Sequence, residues 1–314
     1  MEHTRAESLV FVVASTLIAL GTLFAVAWVA GFDHVAERLR QVDPIWFATA
    51  FGAQAVAYLG YVLAYREVAR VENGRAIGTR DIIATVAAGF GPFVARGGFA
   101  VDVHAFKQAG LSDHQVRVRV LGLGALEYAL LAPAACIVAI QLLADGHSPS
   151  LGLTLPWAIA VPLGFAAAIW AVEKRESFRS HEGRRRHLAD MLESIHVLKC
   201  LIVRPRHVLA PLGTALYWFG DIFCLWACLQ AFTHGTPDIS LLLLGYATGY
   251  ALTRRTLPLG GAGAVEALLP FALSWCGISL AAAVLAVFTY RVFNLWLPIV
   301  PAALGLRRLR ASYA

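Results

Sequence analysis

The sequence predicts an all-α polytopic membrane protein, with six transmembrane helices and two opposed re-entrant helical hairpins in an inverted repeat. Three observations carry this. Of 314 residues, 59% are hydrophobic and only 15% charged, with a mean hydropathy of +0.66; a soluble domain carries about 25% charged residues. Six apolar runs reach the roughly 20 residues needed to cross a bilayer. Two further apolar stretches are too short to cross and are broken by glycine, proline and charge.

The first span covers residues 8–32 and is uncharged. The N-terminal decapeptide has no cleavage-site pattern, so the first helix is expected to be retained. Residues 33–43 read as a short polar loop, and the second span covers 44–65. Arg66, Arg70, Arg75 and Arg80 follow it on one polar segment. Residues 82–95 are apolar for only 14 positions and run into Arg96, Gly97 and Gly98, with Asp102 soon after. This reads as the first hairpin.

The third span, 120–143, contains Glu127, and the fourth covers 153–172. Residues 173–207 form the one substantial polar segment, rich in Lys and Arg. Within it, 188–201 has helical apolar spacing suited to the membrane surface. The fifth span, 208–232, contains Asp221. The second hairpin has arms near 239–253 and 264–276. Between them lie Arg254, Arg255, Pro258, Gly260, Gly261 and Gly263, with Glu266 opening the second arm. A continuous helix does not carry that proline and those glycines in its middle. Irregular backbone at membrane depth is tolerated where protein or a water-filled cavity surrounds it. The last span, 280–301, contains Arg291, and Arg307, Arg308 and Arg310 follow it.

Positive charge orients the spans. It places residues 66–80, the basic loop 173–207 and both termini in the cytoplasm. Residues 145–150 and 233–238 then lie outside. The chain divides into two halves of one plan (span, span, hairpin, span), about 1–150 and 151–314 of a single membrane domain. Three full crossings per half give the halves opposite orientations, the arrangement in which transporter sites form at broken helices. A shift of 164 residues lays Asp102 on Glu266, Glu127 on Arg291 and Pro44 on Val208.

Leu257 through Glu266 carry the pattern P-x-GG-x-G-x-x-E. Tyr290-Arg291 and the 296–298 stretch belong to the last helix. These motifs resemble the lysylphosphatidylglycerol synthase transmembrane family, also called flippase-like. The segment from Arg96 to Ser112 is similar to the family's first hairpin. It has Ala95 and Phe99 where Pro and Glu are frequent. The resemblance implies movement of a lipid or lipid-linked substrate between leaflets, in a bacterial plasma membrane. The soluble aminoacyl-transferase domain of some members is not in this sequence, so a separate lipid-synthesising enzyme is an implied partner.

On that reading Arg254, Arg255 and Arg96 hold a lipid phosphate, for which a guanidinium fork is well shaped. Gly260, Gly261 and Gly263 allow close backbone approach, with N–H groups at a half-helix N-terminus. Glu266 and its counterpart Asp102 line the same cleft. Glu127 and Arg291 are expected to pair near the midplane. Asp221 is a candidate for proton or cation coupling, or an acceptor for a neighbouring helix. The basic loop rests on anionic headgroups.

No nucleic-acid surface, catalytic motif or cofactor is expected. The five cysteines show no CxxC or Cys/His metal spacing, and His104, His114, His147, His181, His187 and His196 receive no role. Two other readings stay open: a membrane-embedded lipid-modifying enzyme, and an accessory protein that recruits a partner through residues 173–207. A carrier of small solutes is a further alternative, since hairpins in inverted repeats also serve water-soluble substrates.

Overall fold

A computed structural model describes residues 5–74, 77–91, 98–173, 185–233, 235, 237–251 and 258–311. Among them there is no strand. Six helical stretches are long and apolar enough to cross a membrane: Leu9–Ala30, Ile45–Arg70, Asp113–Ala144, Leu151–Glu173, Pro205–Gln230 and Leu280–Leu309. These are the six spans expected from the sequence. The short apolar helices Ile239–Tyr250 and Leu259–Trp275 lie between the fifth and the last.

The boundaries differ where local chemistry overrides hydropathy. Helix α1 (Arg5–Ala30) stops at Gly31, whose φ of 86° breaks it, and residues expected as a loop form a second helix, α2 (Phe32–Arg40). Helix α3 is Ile45–Arg70. The first short pair is α4 (Thr79–Phe90) and α5 (Gly98–Gln108), which pack on each other. Helix α6 (Asp113–Ala144) begins seven residues before the apolar run. The cause is a capping box: Ser112 accepts from the Gln115 amide, and the Gln115 side chain accepts from the Ser112 amide.

Helix α7 is Leu151–Glu173, α8 is Arg185–Val203 and α9 is Leu209–Gln230. The second short pair is α10 (Ile239–Tyr246), prolonged by a π-helical turn over Ala247–Ala251, and α11 (Ala264–Trp275). The last span is α12 (Leu280–Arg291), a π-helical turn (Val292–Trp296) and α13 (Ile299–Ala311).

The centre is the α3–α9 pair, the most extensive helix contact in the fold. The helices run antiparallel: Gly60 faces Gly213 while Ala53 and Ala57 face Gly220. Their ends are tied too. The Asp43 amide donates to the Ala231 carbonyl at 3.1 Å, and at the opposite end His207 Nδ1 lies 3.1 Å from Glu67 Oε2. A Cβ on Gly60 would sit 2.5 Å from the Gly213 carbonyl oxygen, and one on Gly220 would sit 2.6 Å from that of Ala53. In lipid, where apolar burial supplies no drive between helices, such backbone proximity is a principal source of association. Helix α12 packs on α9, with α11 and α1 against it, and α13 lies on α4. Helix α7 buries only Leu153 and Thr154 and touches α6 and α8 along one edge.

Helix α8 packs on α6 through Asp190, Ser194, Val197 and Leu201, an i, i+4, i+7, i+11 stripe. Arg117 Nε donates to Asp190 Oδ2 at 2.6 Å, and His114 Nδ1 lies 2.7 Å from Oδ1. Burial pushes the Asp190 carboxyl up, but these partners outweigh it and hold the group below the usual carboxylate range.

Two predictions follow from this packing. Gly213→Val and Gly220→Val should each cost about 1–3 kcal/mol, because the obstructing atoms are backbone and cannot rotate away. Thermal unfolding in detergent checks this, with Gly21→Ala, which meets nothing within 4 Å, as the unaffected control. For Asp190, a folded pKa below the unfolded one means that its stabilisation is complete above about pH 4 and is lost as pH falls through the depressed value. Protection over residues 185–203, taken as exchange relative to the intrinsic rate at each pH, should therefore fall in acid. Asp190→Asn should show the lower protection already at neutral pH.

Candidate functional site

The backbone from Pro258 to Gly263 is a tight, left-handed turn between the second pair of short helices. Leu259, Gly260, Gly261 and Gly263 have φ of 57°, 67°, 71° and 87°. Glycine adopts these values freely, whereas Leu259 is held there against its preference. Such local strain persists only where the surroundings over-determine it.

Here the surroundings are a buried ion pair. Arg291 Nε donates to Glu266 Oε1 at 2.5 Å, and the two side chains are 1% and 0% exposed. Arg291 Nη2 donates to the Gly260 carbonyl at 3.2 Å. Glu266 Oε2 accepts from the Gly263 amide at 2.7 Å, as the third residue of α11 does in a capping box. One pair thus grips the turn from both sides, fixing a carbonyl with the cation and an amide with the anion. The added Cβ of any residue at Gly263 would also meet Ile18 Cγ2 at 2.8 Å.

The network continues into the core. Arg291 Nη1 donates to Asn294 Oδ1 at 3.3 Å, and Tyr250 donates to the same oxygen at 2.9 Å. Asn294 Nδ2 donates to Asp221 Oδ1 at 3.0 Å. Asp221 Oδ2 accepts from Tyr290 at 2.7 Å and from Tyr246. Four elements are joined: α9 through Asp221, α10 through its tyrosines, α11 through Glu266, and the last span through Arg291 and Asn294. A hydrogen-bonded network of this kind, buried in low dielectric, specifies one arrangement of the helices around it.

Several expectations change against this geometry. The pair expected between Glu127 and Arg291 does not form. Arg291 is taken by Glu266, on the helix that immediately precedes its own. Glu127 Oε1 instead accepts from Tyr61 at 2.7 Å, and its backbone carbonyl accepts from the Trp218 indole at 2.8 Å. Asp221 sits among hydrogen-bond donors from neighbouring helices, the second of the two roles open to it. The Gly263 amide, offered to a ligand anion by the sequence, is occupied by Glu266. Asp102 is wholly buried on α5, near enough to Glu127 for their charges to interact. Arg254, Arg255 and Arg96 lie outside the described residues.

The sequence analysis noted Tyr290 only as part of a last-helix motif and left Asn294, Tyr246 and Tyr250 unremarked. Tyr246, Tyr250 and Tyr290 are fully buried, and hydroxyls at membrane depth need partners. That rule, applied to three tyrosines in apolar helices, is the signal that would have found them.

Two apolar cavities flank α6 beside this network. One, of about 550 Å³, lies between α6, α7 and α8, with Tyr128, Trp157, Phe165 and Thr248 in its wall. Trp157 Nε1 donates to Thr248 Oγ1 at 2.9 Å. The other, of about 490 Å³, lies between α6, α9 and α10 and is lined by Leu131, Trp218, Ile222, Trp226 and Leu242 among others. Such volumes and walls suit acyl chains or other long apolar groups.

Breaking the pair should be severe. Arg291→Met leaves the Glu266 carboxylate buried without its cation and should cost about 3–5 kcal/mol. The double variant Arg291→Met/Glu266→Gln should recover part of that loss. Melting temperatures of the purified variants report both.

Compared with known proteins, the chain matches the family model of the lysylphosphatidylglycerol synthase TM region over residues 11–302. No curated protein matches it.

Proposed function

Because the chain belongs to the lysylphosphatidylglycerol synthase transmembrane family, we propose that it moves a lipid, or a lipid-linked molecule with a phosphate-bearing headgroup, between bilayer leaflets. The observation that carries this reading is the meeting of two environments at the end of α10. Thr248 is in the wall of the 550 Å³ apolar cavity, and Tyr250 belongs to the buried polar network. In sequence, Arg254 and Arg255 follow four and five residues after Tyr250, and then comes the turn that Arg291 and Glu266 hold. An amphiphile needs such a junction: cations for its phosphate, apolar walls for its chains, and a rigid backbone between them.

In this reading the two short helix pairs are re-entrant hairpins, and the halves form an inverted repeat. The antiparallel α3–α9 pair supports it, since the second and fifth spans are equivalent in that repeat. So does a shared proximity. Glu266 and Arg291 are hydrogen-bonded, and their counterparts Asp102 and Glu127 lie near enough for their like charges to be felt. The second half places a cation where the first half has a carboxylate, so the two hairpins are chemically unlike. The headgroup site is assigned to the second. Residues 173–207 and both termini face the cytoplasm, with the basic loop on anionic headgroups. The protein acts without chemical conversion of its substrate, and lipid synthesis belongs to a separate enzyme.

The test is leaflet exchange in liposomes that contain purified protein and labelled phospholipids of different headgroup. Exchange of at least one lipid is expected, and Arg254→Ala/Arg255→Ala should reduce it tenfold or more, roughly the effect of losing one charge-assisted contact. Folded protein that exchanges none of a broad lipid panel would overturn the proposal.

A further inference from the structure

Apart from the network above, one set of side chains among the described residues meets as a set of metal ligands does. We infer that Glu72, His196 and Cys200 form a binding site for a divalent metal ion of the zinc type, on the face of the protein that carries α8. The inference does not rest on lipid transport.

Cys200 Sγ lies 3.7 Å from His196 Nε2 and 4.0 Å from Glu72 Oε1, and the last two atoms are 3.3 Å apart. All three lie within 4.8 Å of one another. Zinc bonds run about 2.3 Å to sulfur and about 2.0–2.1 Å to nitrogen or oxygen. At tetrahedral angles those lengths put the ligand atoms about 3.3–3.6 Å apart. The nitrogen–oxygen edge already has that value, and the sulfur is within roughly half an ångström of it.

The surroundings point the same way. His196 and Cys200 are i, i+4 on α8, so they share one face. Glu72 comes from a different element, the turn Val71–Asn73 after α3, and has φ 50° and ψ 56°. A non-glycine residue rarely occupies that region, and it is a form of strain found at ligand clamps. The turn is locked by Arg119, whose Nη2 donates to the Val71 carbonyl at 2.7 Å, and by the Gly74 amide, which donates to the same oxygen at 3.1 Å.

Exposure is graded in a useful order. Cys200 is 4% exposed, while the His196 and Glu72 side chains are 30% and 35% exposed. The sulfur is sheltered and the fourth position faces solvent, where a water completes the shell.

The donor set selects the ion. A thiolate and an imidazole exclude magnesium and calcium, which take oxygen, and favour zinc and its close analogues cobalt and cadmium. On binding, the Cys200 thiol loses its proton to solvent, His196 stays neutral and Glu72 is ionised. Two negative ligands then balance the dication. Arg119 lies near enough to Glu72 for their charges to interact and is the cation the metal must compete with, although its guanidinium also serves the Val71 carbonyl. The bound ion would pin α8, and the basic segment before it, to the end of the central helix α3.

The test uses the full chain without a histidine tag, stripped by chelator and re-equilibrated with zinc. Elemental analysis should find one zinc per chain in the wild type and in Cys136→Ser. Cys200→Ser and His196→Gln should each lose it while eluting as the wild type does. Cobalt added to the stripped protein should give a thiolate-to-metal charge-transfer band that Cys200→Ser abolishes. His196→Gln, at a partly exposed position, keeps the test decisive if the cysteine variant fails to fold. Wild-type protein that holds no more zinc than Cys200→Ser/His196→Gln would overturn the inference.

Discussion

A guanidinium at membrane depth must be paired or it does not stay there. In this protein Arg291 is paired with Glu266, and the rest of the interior is arranged around that requirement. The carboxylate sits at the first turn of α11, where the helix dipole and the Gly263 amide both favour it. The two terminal nitrogens of the guanidinium serve partners other than the carboxylate. One goes to the Gly260 carbonyl and the other to Asn294, which links the pair to Asp221 and the tyrosines. The left-handed turn 258–263 thereby gains a rigid frame on a stretch of chain that could not hold its shape alone.

That frame needs a fixed scaffold, and close glycine contacts supply it. The α3–α9 backbones approach through Gly60, Gly213 and Gly220, and Gly305 of α13 approaches the Ala84 carbonyl of α4 in the same way. Asp221 lies on α9 one residue from Gly220. The position of the polar network is therefore set directly by the tightest helix contact. Helix α7, by contrast, is exposed over nearly its whole length; it walls a cavity and joins the core near its start, through Leu153 and Trp157. The structure thus sets a buried hydrogen-bond network beside a rim of exposed apolar surface.

The face that carries α8 has its own ties, made between elements far apart in sequence. Asp190 with Arg117 and His114, Glu67 with His207, and Glu72 with His196 and Cys200 all join a helix end to a neighbour. Together they attach α8 and the start of α9 to α3 and α6. The basic segment is therefore anchored at its C-terminal end to the membrane core.

The sequence by itself determined the membrane class, the six spans, the two short apolar pairs and the helix within 188–201. Length, hydropathy and helical period are properties of contiguous residues and need no partner to be read. It also singled out Arg291, Glu266, Asp221 and Glu127, because a charge in an apolar run stands out wherever its partner is. Tertiary structure alone decided who pairs with whom. Arg291 chose Glu266 over Glu127, because α11 lies against α12 and its first turn faces the guanidinium. Glu72 met His196 and Cys200 across more than a hundred residues. Pairing depends on which helix faces touch, and in lipid that is settled by backbone fit between small residues far apart in the chain, which no local pattern records.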